Sequence, residues 1–340
     1  MTDLPLLELP GLLRPVNVPL LREVAMPLPP PGPRTRLHLR QGLDGTLTLR
    51  WKGQREVVRW DPGSDQLQTL ELAAGEAGHW GLDVRGDRLA VAGPASLQLL
   101  DGAGAVLRQH RFPEANGENS CRLGADGSLW HLADLDGGRA RLRLLDAAGE
   151  LLDQRELTHR ASGGPAWWLE DAHPTQPTVA VSAGLGQDGA FFLLAHARER
   201  RLVLDAPVDG SCFAGWAPGG EAFATLPHHG TQLCLWSLGG APLRQRELRP
   251  MLEALDDGHS WSVCFLDDER LLLPTSEGRL LLVRMAGGEA LELRLRGDVR
   301  NWDWRQIGLV RLPGSSAPSL LTARSGDRAL KVWDLTACVR

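Results

Sequence analysis

Short runs of alternating apolar and polar residues, separated by Gly, Asp and Pro turns, recur in seven groups along this chain, and helical periodicity is nearly absent. The first group reads Arg36 to Gln41, Thr46 to Trp51, Glu56 to Trp60 and Gln66 to Leu72. Its Asp44-Gly45 and Lys52-Gly53 turns carry glycines that accept the positive φ of tight hairpins. Aligning the third run of every group gives Trp60, Leu100, Leu145, Leu194, Trp236, Arg284 and Trp333. The intervals of roughly 40 to 50 residues suit a four-stranded blade with variable loops better than a solenoid unit.

These groups predict an all-β fold, a seven-bladed β-propeller of four-stranded antiparallel blades. The expected blades cover about 36–72, 80–112, 120–157, 167–208, 212–248, 260–295 and 300–335. In the fourth, the segment from Asp171 to Pro177 reads as a longer excursion between strands. The seventh runs out of chain after three strands, near Asn301 to Leu309, Ser319 to Ala323 and Ala329 to Leu335. An open edge there requires a fourth strand from elsewhere, and residues 21–28 are the expected closing strand, with Leu4 to Leu9 as the competing assignment. On this reading residues 1–18 form a loosely attached arm, Pro29 to Pro33 a stiff connector, and 19–340 a single propeller domain.

The segment Thr322-Ala-Arg-Ser-Gly-Asp-Arg-Ala-Leu-Lys-Val-Trp333-Asp334 resembles the closing half of a WD-repeat blade. Gly78-His79, Gly258-His259, Trp60-Asp61 and Trp236-Ser237 are weaker echoes of the same pattern. In the WD-repeat family such positions form a buried hydrogen-bond tetrad that pins a blade together. The resemblance therefore assigns structural roles to Thr322, Asp327 and Trp333, and places Trp60 and Trp236 at the equivalent packing position. Gly297-Asp298 replaces Gly-His before the last blade and Arg284 replaces Trp in the sixth, so the chain resembles a divergent bacterial member.

A formal net charge of −5 gives no basic field to attract phosphates, which argues against nucleic-acid or anionic-membrane partners. Lys52 and Lys331 are the only lysines, Ile307 the only isoleucine, and tyrosine is absent, a bias that points to a GC-rich genome. No apolar run reaches the ~18 residues of a membrane span. Cys121, Cys212, Cys234, Cys264 and Cys338 are odd in number and lie mostly within apolar strands, which predicts buried reduced thiols and a cytoplasmic protein.

Candidate binding residues come from the starts of the innermost strands. Trp80, Trp167, Trp168, Trp261 and Trp302 fall there, on the face carrying the connections between blades, and His228 and His229 occupy a turn on the same face. Aromatic anchors of this kind are enriched among interface hot spots. The adjacent pair Trp167 and Trp168 is the strongest candidate, because strand alternation cannot bury both on one side. The histidines lack metal-ligand spacing, so neither a metal nor another cofactor is expected. Gly184 to Gly189 is glycine-rich but sits in a hairpin turn, with no helix to cradle a phosphate, and no nucleophile elbow occurs.

The expectation is a non-catalytic scaffold that docks a protein or peptide on its channel face. The family resemblance implies an ATPase, kinase or von Willebrand-type module as partner. The alternative is a propeller enzyme, a lactonase-like hydrolase or lyase, which needs polar side chains converging from several first strands. Those positions read as mainly aromatic or apolar, which favours binding.

Overall fold

Each of seven sheets is built from four consecutive antiparallel strands, or three completed by the N terminus, and the sheets are the blades of a β-propeller. This is a computed structural model, and it describes residues 13–27, 37–41, 46–51, 54–72, 81–113, 119–159, 164–259, 263–287, 290–295, 307–312, 314–315, 317–323 and 329–339. The chain divides into two compact units, Leu37–Ser211 and the pair of segments Met1–Arg36 with Cys212–Arg340.

In the first unit along the chain, blades one to four begin with the strands Leu37–Gln41, Gly81–Arg85, Asn119–Leu123 and Ala166–Ala172. These first strands pack against one another, which makes them the inner strands of their blades. Middle strands such as Leu47–Trp51 and Arg88–Ala92 are buried on both faces, because each sheet is sandwiched between two neighbours. Val57, Leu70 and Leu72 of the first blade thus share a core with Leu82, Val84, Leu89, Val91 and Leu100 of the second. Outer strands such as Gln66–Glu71 and Val106–Arg111 are largely exposed and carry the polar alternation seen in the sequence. The hairpin between Gly81–Arg85 and Arg88–Ala92 has only two loop residues, and Gly86 supplies the positive φ of 60° that it needs.

The other unit holds blades five to seven, with first strands Ser211–Trp216, Cys264–Phe265 and Ile307–Val310. A helix, Arg249–Leu255, follows the fifth blade and buries Met251 and Leu252 in the core between blades five and six. Leu20–Ala25 pairs antiparallel with Ala329–Asp334 and completes the seventh blade, so the closing strand comes from the N terminus as the strand count requires. Val24 and Met26 are the buried residues of this closure.

The segment just before it departs from expectation. Leu13–Val18, which the sequence reading placed in a loose arm, is a strand that pairs in parallel with Ala290–Leu295 and adds a fifth strand to the sixth blade. Val18 is 1% exposed and belongs to the core of blades six and seven. Pro15 lies within this strand, and a residue without an N–H is tolerated in a sheet at an edge, which is where it stands. Pro19 separates the two N-terminal strands, and its carbonyl accepts the Asp334 N–H at 3.0 Å. The segment Leu4 to Leu9 lies outside the described residues.

Candidate functional site

The inner strands of the first four blades are not mainly aromatic or apolar where they converge, as the alternation suggested. They bring together Arg40, Asp83, Arg85, Arg122, Glu170 and Asp171, and this corrects the expectation that convergent polar groups are missing. Arg40, Asp83, Arg85 and Asp171 line a cavity of about 290 Å³, with Val84, Leu123, Ala172 and Pro174 completing its wall.

One local irregularity positions the last of these groups. Along Ala166–Ala172 the pairing with Thr178–Gly184 runs regularly from Ala166 to Leu169 and then shifts, so that Glu170 and Asp171 oppose a single residue. This bulge breaks the pleat alternation, and Asp171 projects into the cavity with 65% of its side chain accessible. The segment expected as an excursion from Asp171 therefore begins inside the strand.

The charges are laced across the four strands. Arg40 Nε lies 3.2 Å from Asp83 Oδ1, and Arg40 Nη2 lies 3.1 Å from Asp171 Oδ1. The other Asp83 oxygen accepts the Leu123 N–H at 2.7 Å. Arg122 donates to the carbonyls of Leu169 at 2.8 Å and Cys121 at 2.7 Å, and its Nε stands 3.6 Å from Asp171 Oδ1. Arg85 donates to the carbonyls of Pro174 at 2.5 Å and Leu123 at 3.4 Å. Ser120 Oγ accepts the Leu169 N–H at 3.0 Å, a further tie between the third and fourth inner strands.

Electrostatics separates these groups. Burial pushes the Asp83 carboxyl above its ordinary value against the pull of Arg40 and Arg122. Asp171 is held below the usual carboxylate range by Arg40 first, against the partial desolvation of the pocket, with Arg122 adding to the effect. Burial also raises Glu170, opposed by the hydrogen bond from Trp168. Among the arginines, burial works against the charge of Arg40, but Asp171 and Asp83 outweigh it and raise its pKa. Arg122 is lowered by burial and by its neighbour Arg40, and Arg85 is lowered by burial. Among the described residues no cluster of three or more His, Cys, Asp or Glu side chains could hold a metal ion.

The tryptophan pair splits. Trp167 is 3% exposed, donates to the Gly138 carbonyl at 2.8 Å and meets Phe191 edge to face, so the structure places it in the core of blades three and four. Its neighbour Trp168 is half-buried and donates to Glu170 Oε1 at 2.5 Å, one residue before the cavity-lining Asp171. The ring lies over Gly184, where a Cβ would come within 3.3 Å of it. Trp80, Trp261 and Trp302 lie outside the described residues, as does Asp327.

In the other unit, His228 and His229 pack ring against ring with centroids 4.4 Å apart. The adjacent Gly230 carbonyl is bonded by His259 Nε2 at 2.6 Å, which ties the Gly258-His259 turn to the fifth blade. Trp333 and Trp236 both donate to a second-strand threonine eleven residues earlier, Thr322 and Thr225, at 2.8 Å. Trp60 instead donates to Asp65 Oδ1 at 3.1 Å. In the fourth blade, His196 is bonded to Thr178 Oγ1 at 2.9 Å and to Asp205 at 3.0 Å.

Fold and cavity together define a seven-bladed β-propeller with a charged pocket among its inner strands. No family model and no curated protein sequence matches the chain. Solved propellers do. A chain of the mitotic checkpoint complex is similar at 17% identity and a TM-score of 0.64, covering 97% of this chain and 96% of that one. The Pan2 WD40 domain of Neurospora crassa matches at 8% identity and a TM-score of 0.61, over 93% of this chain and 94% of its own. A streptogramin B lyase matches at 12% identity and a TM-score of 0.61, over 92% and 96%. At such identities the likeness is one of fold, and two of the three folds are WD40 or complex-forming propellers while the third is an enzyme.

Proposed function

We propose that this chain is a non-catalytic interaction module that docks a protein or peptide partner at the inner-strand cavity of its first four blades, with Trp168 as an anchor beside it. The observation that supports this most is the internal engagement of the charged groups. Both oxygens of Asp83 are taken, by Arg40 and by the Leu123 N–H, and Asp171 is held by two arginines. Charges fixed this way, with Asp83 and Asp171 engaged by arginines and a backbone N–H, shape a recognition surface. A cavity of about 290 Å³ is at the small end of ligand pockets, fit for one side chain of a partner. The WD-repeat resemblance makes an ATPase, kinase or von Willebrand-type module the first partner to test, and the five free cysteines suit a cytoplasmic setting. His228 and His229 belong to this reading as a separate polar contact of the other unit. No helix among the described residues is long and apolar enough to cross a membrane.

A second reading, a propeller lyase or hydrolase, draws on the opposite shifts of Asp83 and Asp171, since acid and base pairs are set apart in this way. Affinity capture from the native cell extract separates the two. Wild type should retain one protein that Trp168→Ala releases while the variant stays folded, with a melting temperature lowered by no more than about 4 °C. A chain that retains nothing, but turns over a lactone or cyclic ester with loss in Asp171→Asn, would overturn the module.

A further inference from the structure

The sixth blade is complete before its fifth strand arrives. Cys264–Phe265, Arg270–Pro274, Leu280–Arg284 and Ala290–Leu295 supply four antiparallel strands. Leu13–Val18 then lies along the outer edge of the last in parallel, from Leu13 beside Ala290 to Val18 beside Leu295. Outer strands such as Gln66–Glu71 and Val106–Arg111 are largely exposed and carry amide and charged side chains, which discourage a further strand. Ala290–Leu295 instead reads Ala-Leu-Glu-Leu-Arg-Leu, with Ala290, Leu293 and Leu295 buried, an edge fit to be covered. Val18 is buried in the cluster that holds Leu293, Leu295 and Leu335, and Val16 packs against the same cluster, while Pro15 and Asn17 are exposed. The strand thus seats alternate valines on the blade and turns the residues between them to solvent. It is held less firmly than its neighbour. Leu20–Ala25 is needed to give the seventh blade four strands, whereas the sixth has four without Leu13–Val18. Parallel pairing is slightly less stable per residue, Pro15 offers no N–H, and among the described side chains of the strand only Val18 is fully buried. Pro19 separates the two strands and is tied to the seventh blade by the Asp334 N–H, so the first can leave while the second stays paired.

We infer that the outer edge of the sixth blade is a strand-acceptor groove for an extended peptide of a partner protein, with Leu13–Val18 as the intramolecular occupant that the peptide displaces. The peptide enters parallel to Ala290–Leu295, with β-branched apolar residues two apart in the places of Val16 and Val18. Main-chain hydrogen bonds supply the affinity in this mode, and the alternate side chains supply the specificity. The tethered strand acts at high effective concentration and keeps the groove shut to weaker sequences. The groove belongs to the unit that holds blades five to seven, and it stands whether or not the cavity of the first four blades docks a partner.

The test is fluorescence anisotropy of a labelled, capped peptide with the sequence of residues 13–19, titrated with the full chain. Val18→Ala in the chain weakens the resident strand and leaves the probe intact, so the variant should bind the probe at least about tenfold more tightly than wild type does. A probe carrying Val16→Asp and Val18→Asp should bind neither chain. A photo-crosslinking group in place of Asn17 of the probe should attach to the Ala290–Leu295 strand, where Asn17 of the resident strand lies beside Arg294. No binding to either chain, equal binding to both, undiminished binding of the aspartate probe, or attachment elsewhere overturns the groove. If Val18→Ala folds poorly, amide hydrogen exchange on the wild-type chain decides. Leu13–Val18 should then exchange at least about tenfold faster than Leu20–Ala25, and equal protection of the two strands overturns the inference.

Discussion

Replacing Asp83 by Ala and by Asn separates what its hydrogen bond contributes from what its charge contributes. The side chain is 10% exposed and serves Arg40 at 3.2 Å and the Leu123 N–H at 2.7 Å. Alanine leaves a buried N–H without an acceptor, at about 1–3 kcal/mol, and takes one of two carboxylates from Arg40, so we expect a total of about 2–4 kcal/mol. Asparagine keeps the acceptor for Leu123. Because burial raises the Asp83 pKa, its negative charge is held at a net cost, and removing it should leave stability within about 1 kcal/mol of wild type. An unfolding entropy of about 2.1 cal/mol/K per residue gives roughly 1.4 °C per kcal/mol for a chain of 340 residues unfolding as a unit. Alanine should therefore lower the melting temperature at pH 7.5 by about 3–6 °C, and asparagine should shift it by less than about 1.5 °C. The pH dependence has a fixed sign. A carboxyl whose folded pKa is raised takes up its proton in the folded state first, so wild type gains relative stability as pH falls through that raised value toward 3.8. Asparagine cannot, and its stability relative to wild type should fall as pH is lowered from 7.5 toward 3.8. An asparagine variant as unstable as alanine, or a relative stability that rises on acidification, would refute the reasoning.

Three further outcomes test other parts of the molecule. Trp167→Ala removes a 3%-exposed core side chain and should cost about 3–5 kcal/mol in denaturant titration, whereas Trp168→Ala, at a half-buried site, should cost less than half as much. Deleting residues 1–12 leaves both N-terminal strands in place and should preserve soluble yield. Deleting 1–18 removes the parallel strand with Val18 and should lower it, and deleting 1–26 should abolish it by leaving the seventh blade with three strands. Burial pushes the Cys121 thiol up to about 12, so iodoacetamide at pH 8 should label it only after unfolding, as intact-mass spectrometry would show.

The blades were legible because a strand's pleat writes its two faces into every second residue, and because turns need glycine where φ is positive. The strand starts expected at Glu56, Gln66, Ser319 and Ala329 are those of the structure. Closure by the N terminus followed from counting strands in the last blade, whose Thr322 and Trp333 meet as the WD-repeat resemblance implied. The parallel strand Leu13–Val18 was not legible, since Pro15 and a run of six residues read equally well as a loose arm. Its partner is a strand some 280 residues later, and nothing in the local pattern of either announces the pairing.

The site was missed for a related reason. On a strand with one wet face, a charged residue in alternation reads as solvent-facing, and Arg40, Asp83 and Arg122 sit in that alternation within otherwise apolar runs. Inner strands of a propeller do not have an ordinary wet face, because their polar side turns toward the inner strands of other blades. Three or four such residues, each unremarkable alone, therefore meet one another instead of water, as the ties from Arg40 to Asp83 and Asp171 show. The signal available in the sequence was opposite charge at matching positions of successive first strands, Arg40, Asp83 and Arg122. Asp171 would still have escaped it, since the bulge shifts its register by one residue. The bulge also explains how Asp171 can answer Arg40 and Arg122 at once: a regular strand would turn either Glu170 or Asp171 to the opposite face, and the extra residue lets both lie near the arginines.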